Sequence, residues 1–252
     1  MYRSLFLSHG SPMMILQNSP VRQFLRTLGQ TMPKPKAVLV QSSHWQSRSL
    51  TVGAAVSPEL IYDFYGFPDE LYRYAYAPNG EPGLAADLAA ALTADLDPQR
   101  GLDHGIWSVM SQIWPQGDVP VIPLSLPVSA NPQSCFELGQ SLSTLLPPGI
   151  MLIGSGAMTH NLRAYMGQPF DTPVDARVAD FTQWMREMSE QGDVESLLRY
   201  RQLAPHAAWN HPTDEHFLPL FTSMGIASGL RCLHQSVEYG VIAMDCYGAE
   251  PS

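Results

Sequence analysis

The sequence predicts a three-layer α/β domain with a mainly parallel or mixed central sheet flanked by helices, spanning residues 1–252 as one unit. Two observations predict it. Short apolar runs alternate with helical patterns along the chain, the signature of strands joined by covering helices. The runs are also nearly continuous rather than alternating, as expected of strands buried on both faces.

The strands come in order. Residues 4–8 (SLFLS), 37–42 (AVLVQS), 119–126 (VPVIPLSL) and 150–154 (IMLIG) read as buried strands. Residues 51–56 (TVGAAV) read as an edge strand and 236–246 (SVEYGVIAMDC) as a late one. The helices fall between them. Residues 20–30 begin with Pro, which suits a first helical turn. Residues 81–95 are rich in Ala and Leu, with high helix propensity. Residues 131–146 open with an Asn-Pro start signal. Residues 173–201 carry two helical stretches broken at Gln191-Gly192-Asp193. Asp214 is placed to cap a further helix from about Glu215.

Composition excludes several classes. Hydrophobic residues make up 45% and charged residues 15%, unlike a disordered chain. The formal net charge of -9 and the lack of a basic run give no pull towards nucleic acid or an anionic membrane. No apolar stretch approaches the roughly 20 residues of a membrane span, and the run before His9 is too short for a secretory leader. The expectation is a soluble, cytoplasmic protein. Cys135, Cys232 and Cys246 are odd in number and far apart, so neither a disulfide framework nor a zinc ribbon is expected.

Histidine placement carries the chemistry. Of eight histidines, His9, His44 and His160 each follow an apolar run, and His211 and His216 share the segment HPTDEHFLP. Ligands of open α/β sheets sit beyond the carboxyl ends of strands, and neutral imidazole is the commonest protein ligand of transition metals. A metal site is therefore expected. Taken singly, each histidine is also compatible with a hydrogen-bonded structural role. His211 and His216 are five apart and cannot share a helix face. Glu215 offers a carboxylate as a reserve ligand, or simply a first-turn acid favoured by the helix dipole. Gly154-Ser155-Gly156 lacks the spacing and lysine of a phosphate loop. Asp103 precedes His104, but adjacent side chains usually point apart. His206 and His234 read as structural or surface residues. The aromatic segment from Tyr62 to Pro68 could wall a substrate pocket or form a satellite core, and Tyr72, Tyr74 and Tyr76 extend it. Arg73 and Arg163 read as surface charges. No GxSxG elbow or HExxH is present.

Six motifs occur in order: SHGSP, SSHW, DFYGFP, LDHGIWSVM, GSGAMTHNL and HPTDEHFLP. With them the chain resembles the DOPA-dioxygenase type of class III extradiol ring-cleavage dioxygenases, which are LigB-like. The resemblance implies Fe(II) as the active metal, with Zn(II) also found in isolated members. It implies His9, His44 and His216 as metal ligands. His160 is implied either as a fourth metal-proximal histidine or as the acid–base residue, and His104 as a catalytic residue of the second sphere. Phe64, Tyr65 and Phe67 would contact the substrate. The partners implied are a small aromatic diol, DOPA-like, and O2, giving a ring-opened semialdehyde. A homo-oligomer is compatible with the sequence. Two other readings stand beside this one: a zinc-dependent amide or ester hydrolase, and a non-enzymatic Memo-like binding protein.

Overall fold

Runs of Val, Leu, Ile and Phe become the middle of a sheet. The computed structural model describes residues 2–227 and 229–249. Its strands are β1 (Ser4–Ser8), β2 (Ala37–Ser47), β3 (Thr51–Gly53), β4 (Asp95–Asp97), β5 (Val121–Pro127), β6 (Ile150–Gly156), β7 (Arg231–His234), β8 (Val237–Glu238), β9 (Ile242–Ala243) and β10 (Cys246–Ala249). Eight of them form one sheet in the order β4-β3-β5-β2-β6-β1-β10-β7. The four central strands, β5, β2, β6 and β1, are parallel. Antiparallel pairing begins where β3 joins β5 and β10 joins β1. The sheet is thus mixed around a parallel centre.

Side-chain alternation produces the three layers. Val38, Val40, Met151 and Ile153 share a core with Val21 and Leu25 of helix Pro20–Thr31 and with Ile106 and Val109 of helix His104–Ile113. Their chain neighbours Leu39 and Leu152 pack in a separate core with Leu88 of helix Pro82–Leu92 and Leu142 of helix Pro132–Leu145. Period-two alternation therefore sends adjacent residues to opposite helical layers.

Local signals set the helix ends. Ser19 accepts a hydrogen bond from the Arg22 N–H at the start of Pro20–Thr31, and Asn131 with Ser134 forms a reciprocal capping box. Gly192 ends helix Ala176–Gln191 in the left-handed region, and Asp193 caps the next helix, as the predicted break requires.

Several expectations are corrected. The helix expected over 81–95 stops at Leu92, and Asp95 opens an edge strand beside β3. The expected strand 236–246 is a tight hairpin, β8 to β9, followed by β10. Asp214 does not cap a helix from Glu215. Its side chain accepts from Tyr200 and Arg201 instead, and the helix begins at Leu218 with Pro219 in its first turn. His216 therefore sits in the turn before that helix.

Candidate metal centre

Four elements bring histidines to the carboxyl end of the parallel strands. His9 is the first residue after β1, and its N–H is held by the Gly156 carbonyl at the end of β6. His44 lies inside β2 rather than beyond it. The register with β5 shifts between Gln41 and Gln46, and this bulge re-aims the strand at the site. His104 opens the helix His104–Ile113. His216 is brought in by close approach of its own backbone to β6: a Cβ on Gly156 would lie 2.1 Å from the His216 carbonyl oxygen. The Gly-Ser-Gly segment thus serves strand-to-loop packing, and Ser155 between the glycines faces the opposite layer.

The imidazole nitrogens converge. His44 Nε2 lies 3.0 Å from His9 Nε2 and 3.2 Å from His216 Nε2. Nitrogens bound to one ion at about 2.0–2.1 Å, with angles between 90° and 109°, stand roughly 2.9–3.4 Å apart. The spacing fits a shared cation.

The opposite ring edges explain why. The Ser155 hydroxyl donates to the Gly105 carbonyl, so its oxygen is left to accept from His9 Nδ1 at 3.0 Å. His44 Nδ1 faces Asp63 Oδ2 at 3.4 Å, and His104 Nδ1 donates to Asp63 Oδ1 at 2.9 Å. His216 Nδ1 donates to Glu215 Oε1 at 3.1 Å, and the Thr213 hydroxyl donates to the same oxygen at 3.0 Å. A neutral imidazole carries one hydrogen. With that hydrogen on Nδ1, the edge that Ser155, Asp63 and Glu215 face, the Nε2 lone pairs of His9, His44 and His216 would face one another. An electron-pair acceptor relieves this, so the donor set fits a metal ion. His9, His44 and His104 have ligand atoms within 4.8 Å of one another, as do His160, Glu215 and His216.

Electrostatics keep these rings neutral. Burial, and then the neighbouring histidines, hold His9 and His216 well below their ordinary pKa. His44 is pushed down to about 3, by burial first and His104 next, against the pull of Asp63. Burial raises the Asp63 carboxyl, but its hydrogen bonds and charge interaction with His104 outweigh that and hold it at about 2. Asp63 is therefore an anion that orients two histidines, and it also accepts the His104 N–H, doing the work of a helix cap.

His160 stands apart in its hydrogen bonding. Its ring stacks face to face on His216, with centroids 3.5 Å apart and planes 11° from parallel. Among the described residues, no protein group hydrogen-bonds its ring nitrogens. Burial lowers its pKa, partly offset by Glu215.

A cavity of about 230 Å3 opens over the cluster, lined by His9, His44, His104, His160 and His216. Phe64 and Phe67 form one wall, their centroids 5.3 Å apart, with Phe64 edge-on to His104 at 5.8 Å. Tyr65 does not share that wall. It is 92% exposed, because the left-handed turn at Gly66 brings Phe64 and Phe67 inward and leaves Tyr65 outside. Tyr72, Tyr74 and Tyr76 do not line the cavity either. Tyr72 supports the loop through the Phe64 carbonyl, and Tyr74 stacks on Trp107. Arg73 pairs with Asp69 on the surface, and neither it nor Arg163 lines the cavity.

The remaining histidines lie elsewhere. His211 is buried, donates from Nε2 to the Met158 carbonyl and stacks on Phe217. His206 pairs with Asp180, and His234 stacks on Phe24. Asp103 binds Ser42 and Arg100 and leaves His104 to Asp63. Asp63, Ser155 and Glu238 are the polar groups of the site that sequence reasoning missed. Asp63 did carry a signal, as the one charge in an otherwise aromatic loop. The three cysteines are free thiols. No described helix is long and apolar enough to cross a membrane.

A histidine cluster at the carboxyl ends of parallel strands, roofed by aromatic rings, defines a metal-dependent class of α/β enzyme. The chain belongs to the family of the catalytic LigB subunit of aromatic ring-opening dioxygenases, whose pattern it matches over residues 3–245. It is an enzyme of the extradiol ring-cleavage type. It is 35% identical to 4,5-DOPA dioxygenase extradiol of Beta vulgaris over 256 residues, covering 97% of this chain and 95% of that protein. It is also 35% identical to the Escherichia coli K12 protein of the same name over 251 residues, covering 96% and 92%. The crystal structure of an uncharacterized protein from Escherichia coli K12 superposes with a TM-score of 0.83 at 31% identity, covering 99% of this chain and all of that one (100%).

Proposed function

We propose that the protein is an Fe(II)-dependent dioxygenase that opens a catechol-type, DOPA-like ring at an extradiol position to give a semialdehyde. The observation that carries this reading is the set of three facing Nε2 lone pairs on His9, His44 and His216. These residues hold the metal. Three ligands on one side leave positions free, which a reaction of two substrates requires. Bound iron supplies the redox centre through which dioxygen, sluggish towards organic molecules, reacts with the ring.

The other residues position the ring and move protons. Phe64 and Phe67 hold the aromatic ring against the cluster. Their apolar surface excludes water from it. His160, with ring nitrogens free of protein partners, takes a hydroxyl proton from the diol as general base. His104, fixed by Asp63 at Nδ1, presents Nε2 to the cavity as a second proton-handling group. The direct role of Glu215 is to orient His216.

The test is oxygen uptake by protein reconstituted with iron under anaerobic conditions, using DOPA, catechol and protocatechuate. Consumption of O2 with a yellow ring-opened product is expected for at least one. If none of the three supports uptake, the proposal fails. The zinc-loaded protein should be inactive, since zinc has no accessible redox change.

A further inference from the structure

A second pocket lies at the far end of helix His104–Ile113 from the histidine cluster. It is an open groove of about 510 Å3 between the end of that helix and helix Pro20–Thr31. From His104 to Gln112 an α-helix rises about 12 Å, so the groove shares no wall with the metal centre. The two helices touch directly, since a Cβ on Gly29 would lie 1.9 Å from the Ile113 carbonyl oxygen. Only glycine fits that contact, and the contact sets Arg22 and Arg26 beside Gln112.

Arg22 and Arg26 stand four apart on one helix and both line the groove. Gln112 Oε1 accepts from Arg22 Nε at 2.9 Å and from Arg26 Nε at 3.3 Å. Gln112 is only 3% exposed, and its amide nitrogen donates to the Ser111 hydroxyl at 3.2 Å. Its oxygen is thereby committed to the two guanidiniums. Arg22 Nη1 donates to the Gln17 carbonyl at 3.1 Å. Arg22 Nη2 and both terminal nitrogens of Arg26 make no hydrogen bond among the described residues.

Like charges at this helical spacing repel. Burial, and then Arg26, holds Arg22 below its ordinary pKa, against the pull of Tyr74. A carboxylate between the two arginines would remove the repulsion, and the chain has 23 acidic residues against 14 basic ones. Among the described residues, however, neither Arg22 nor Arg26 forms an ion pair. The acid that lines the groove, Asp118, is bound by Lys34. The acceptor between the guanidiniums is the neutral amide of Gln112. The groove therefore holds two uncompensated positive charges in a protein of net charge -9.

We propose that this groove binds a dianionic phosphate group, free or carried by a small phosphate monoester, on the unused N–H groups of Arg22 and Arg26. Planar guanidinium forks match phosphate oxygens in pairs, and two positive charges balance the two charges of the anion. A monocarboxylate would balance only one. Trp114 and Pro115 line the same groove and give the organic part of an ester a surface to lie on. The inference is independent of the ring-cleavage reading, since the site neither contains nor contacts the histidine cluster.

Calorimetric titration of the protein as purified, at slightly alkaline pH and constant ionic strength, compares inorganic phosphate, glycerol 3-phosphate and acetate. Both phosphates should bind saturably, and roughly tenfold or more tightly than acetate, the worth of one further charge-assisted hydrogen bond. The tighter of the two phosphates tells whether the groove serves an ester or the free ion. Arg26 is exposed and makes a single long bond, so Arg26→Gln should fold as the wild type does. It should weaken phosphate roughly tenfold, while Arg26→Lys, which keeps the charge and loses the fork, falls between. Stripping the metal should leave phosphate binding unchanged. Absence of saturable phosphate binding by the wild type overturns the inference, and that measurement needs no variant. So does acetate bound as tightly as phosphate, or phosphate binding that survives Arg26→Gln undiminished and disappears with the metal.

Discussion

His44 Nε2 and His9 Nε2 lie 3.0 Å apart, the spacing of two donors to one cation. On the far ring edges, Asp63 faces His44 Nδ1 at 3.4 Å and the Ser155 hydroxyl meets His9 Nδ1 at 3.0 Å. Hydrogens held on those edges would leave two lone pairs facing each other, a contact that a cation between them would relieve. The protein has spent its outer hydrogen bonds on holding that arrangement.

Metal should therefore stabilise the fold measurably. An ion present at a hundredfold excess over its Kd adds about 2.7 kcal/mol. For a chain of 252 residues this is roughly 5–10 °C in Tm. Differential scanning calorimetry of chelator-stripped protein, with and without Fe(II) or Zn(II), should show the rise, and His44→Ala should abolish it. No rise with either ion would argue against a metal site here.

Asp63 serves two histidines at once, so its loss should reach both. Asp63→Asn offers His104 and His44 an amide, half of which donates rather than accepts. Removal of an outer-shell partner typically costs 10–100-fold in metal affinity. Competition with a coloured chelator should show a loss in that range. Wild-type affinity in the variant would reduce Asp63 to a helix cap.

The contrast between Asp63 and His44 shows what a linear chain discloses. The central strands and the histidines beside them were legible, because continuous apolar runs report burial and their ends report the carboxyl edge. The partners that fix each tautomer were not, since Asp63 and Ser155 come from distant segments brought together only by folding. Helix His104–Ile113 also escaped notice. Every one of its residues is buried, and the polar stripe His104, Ser108, Ser111 and Gln112, at helical spacing, lies inside the protein rather than on a charged outer face. The β8–β9 hairpin was hidden for a different reason: its turn uses Tyr239 at positive φ, where a sequence reader looks for Asn, Asp or Gly. His216 stands in the cluster, while the helix start expected at Asp214 is displaced by that side chain's bonds to Tyr200 and Arg201.

His160 should separate chemistry from metal binding. Its ring stacks on His216 and has no protein partner for its nitrogens. His160→Gln should lower kcat by roughly 10²–10⁴, the usual worth of general acid–base catalysis, and leave the metal-induced rise in Tm in place. Loss of that rise would make His160 a ligand instead. Steady-state oxygen uptake paired with calorimetry on the same variant decides between the two roles.

Acid should unfold the metal-free protein early. His9, His44, His211 and His216 all have folded pKa values below the ordinary 6.5, with His44 and His211 pushed down to about 3, in each case chiefly by burial. Above 6.5 both folded and unfolded chains hold these rings neutral, and their contribution to stability is complete. As pH falls below 6.5 the unfolded chain takes up protons that the folded one refuses, so stability drops until the lowered folded values are passed. Each such proton costs about 1.4 kcal/mol per pH unit. Asp245 works the other way. Burial lifts it to about 7, so the folded state holds its proton while the unfolded state releases it, and its contribution is lost as pH rises through 7. Burial raises Asp103 and Glu238 in the same sense as Asp245, and it lowers His160 and His234 with the other four histidines. Six histidines outweigh three carboxyls, and the net slope below pH 6.5 is a loss of stability on acidification. Urea midpoints measured between pH 7.5 and 4.5 should fall steadily, and a flat or rising profile would contradict the neutral, buried cluster.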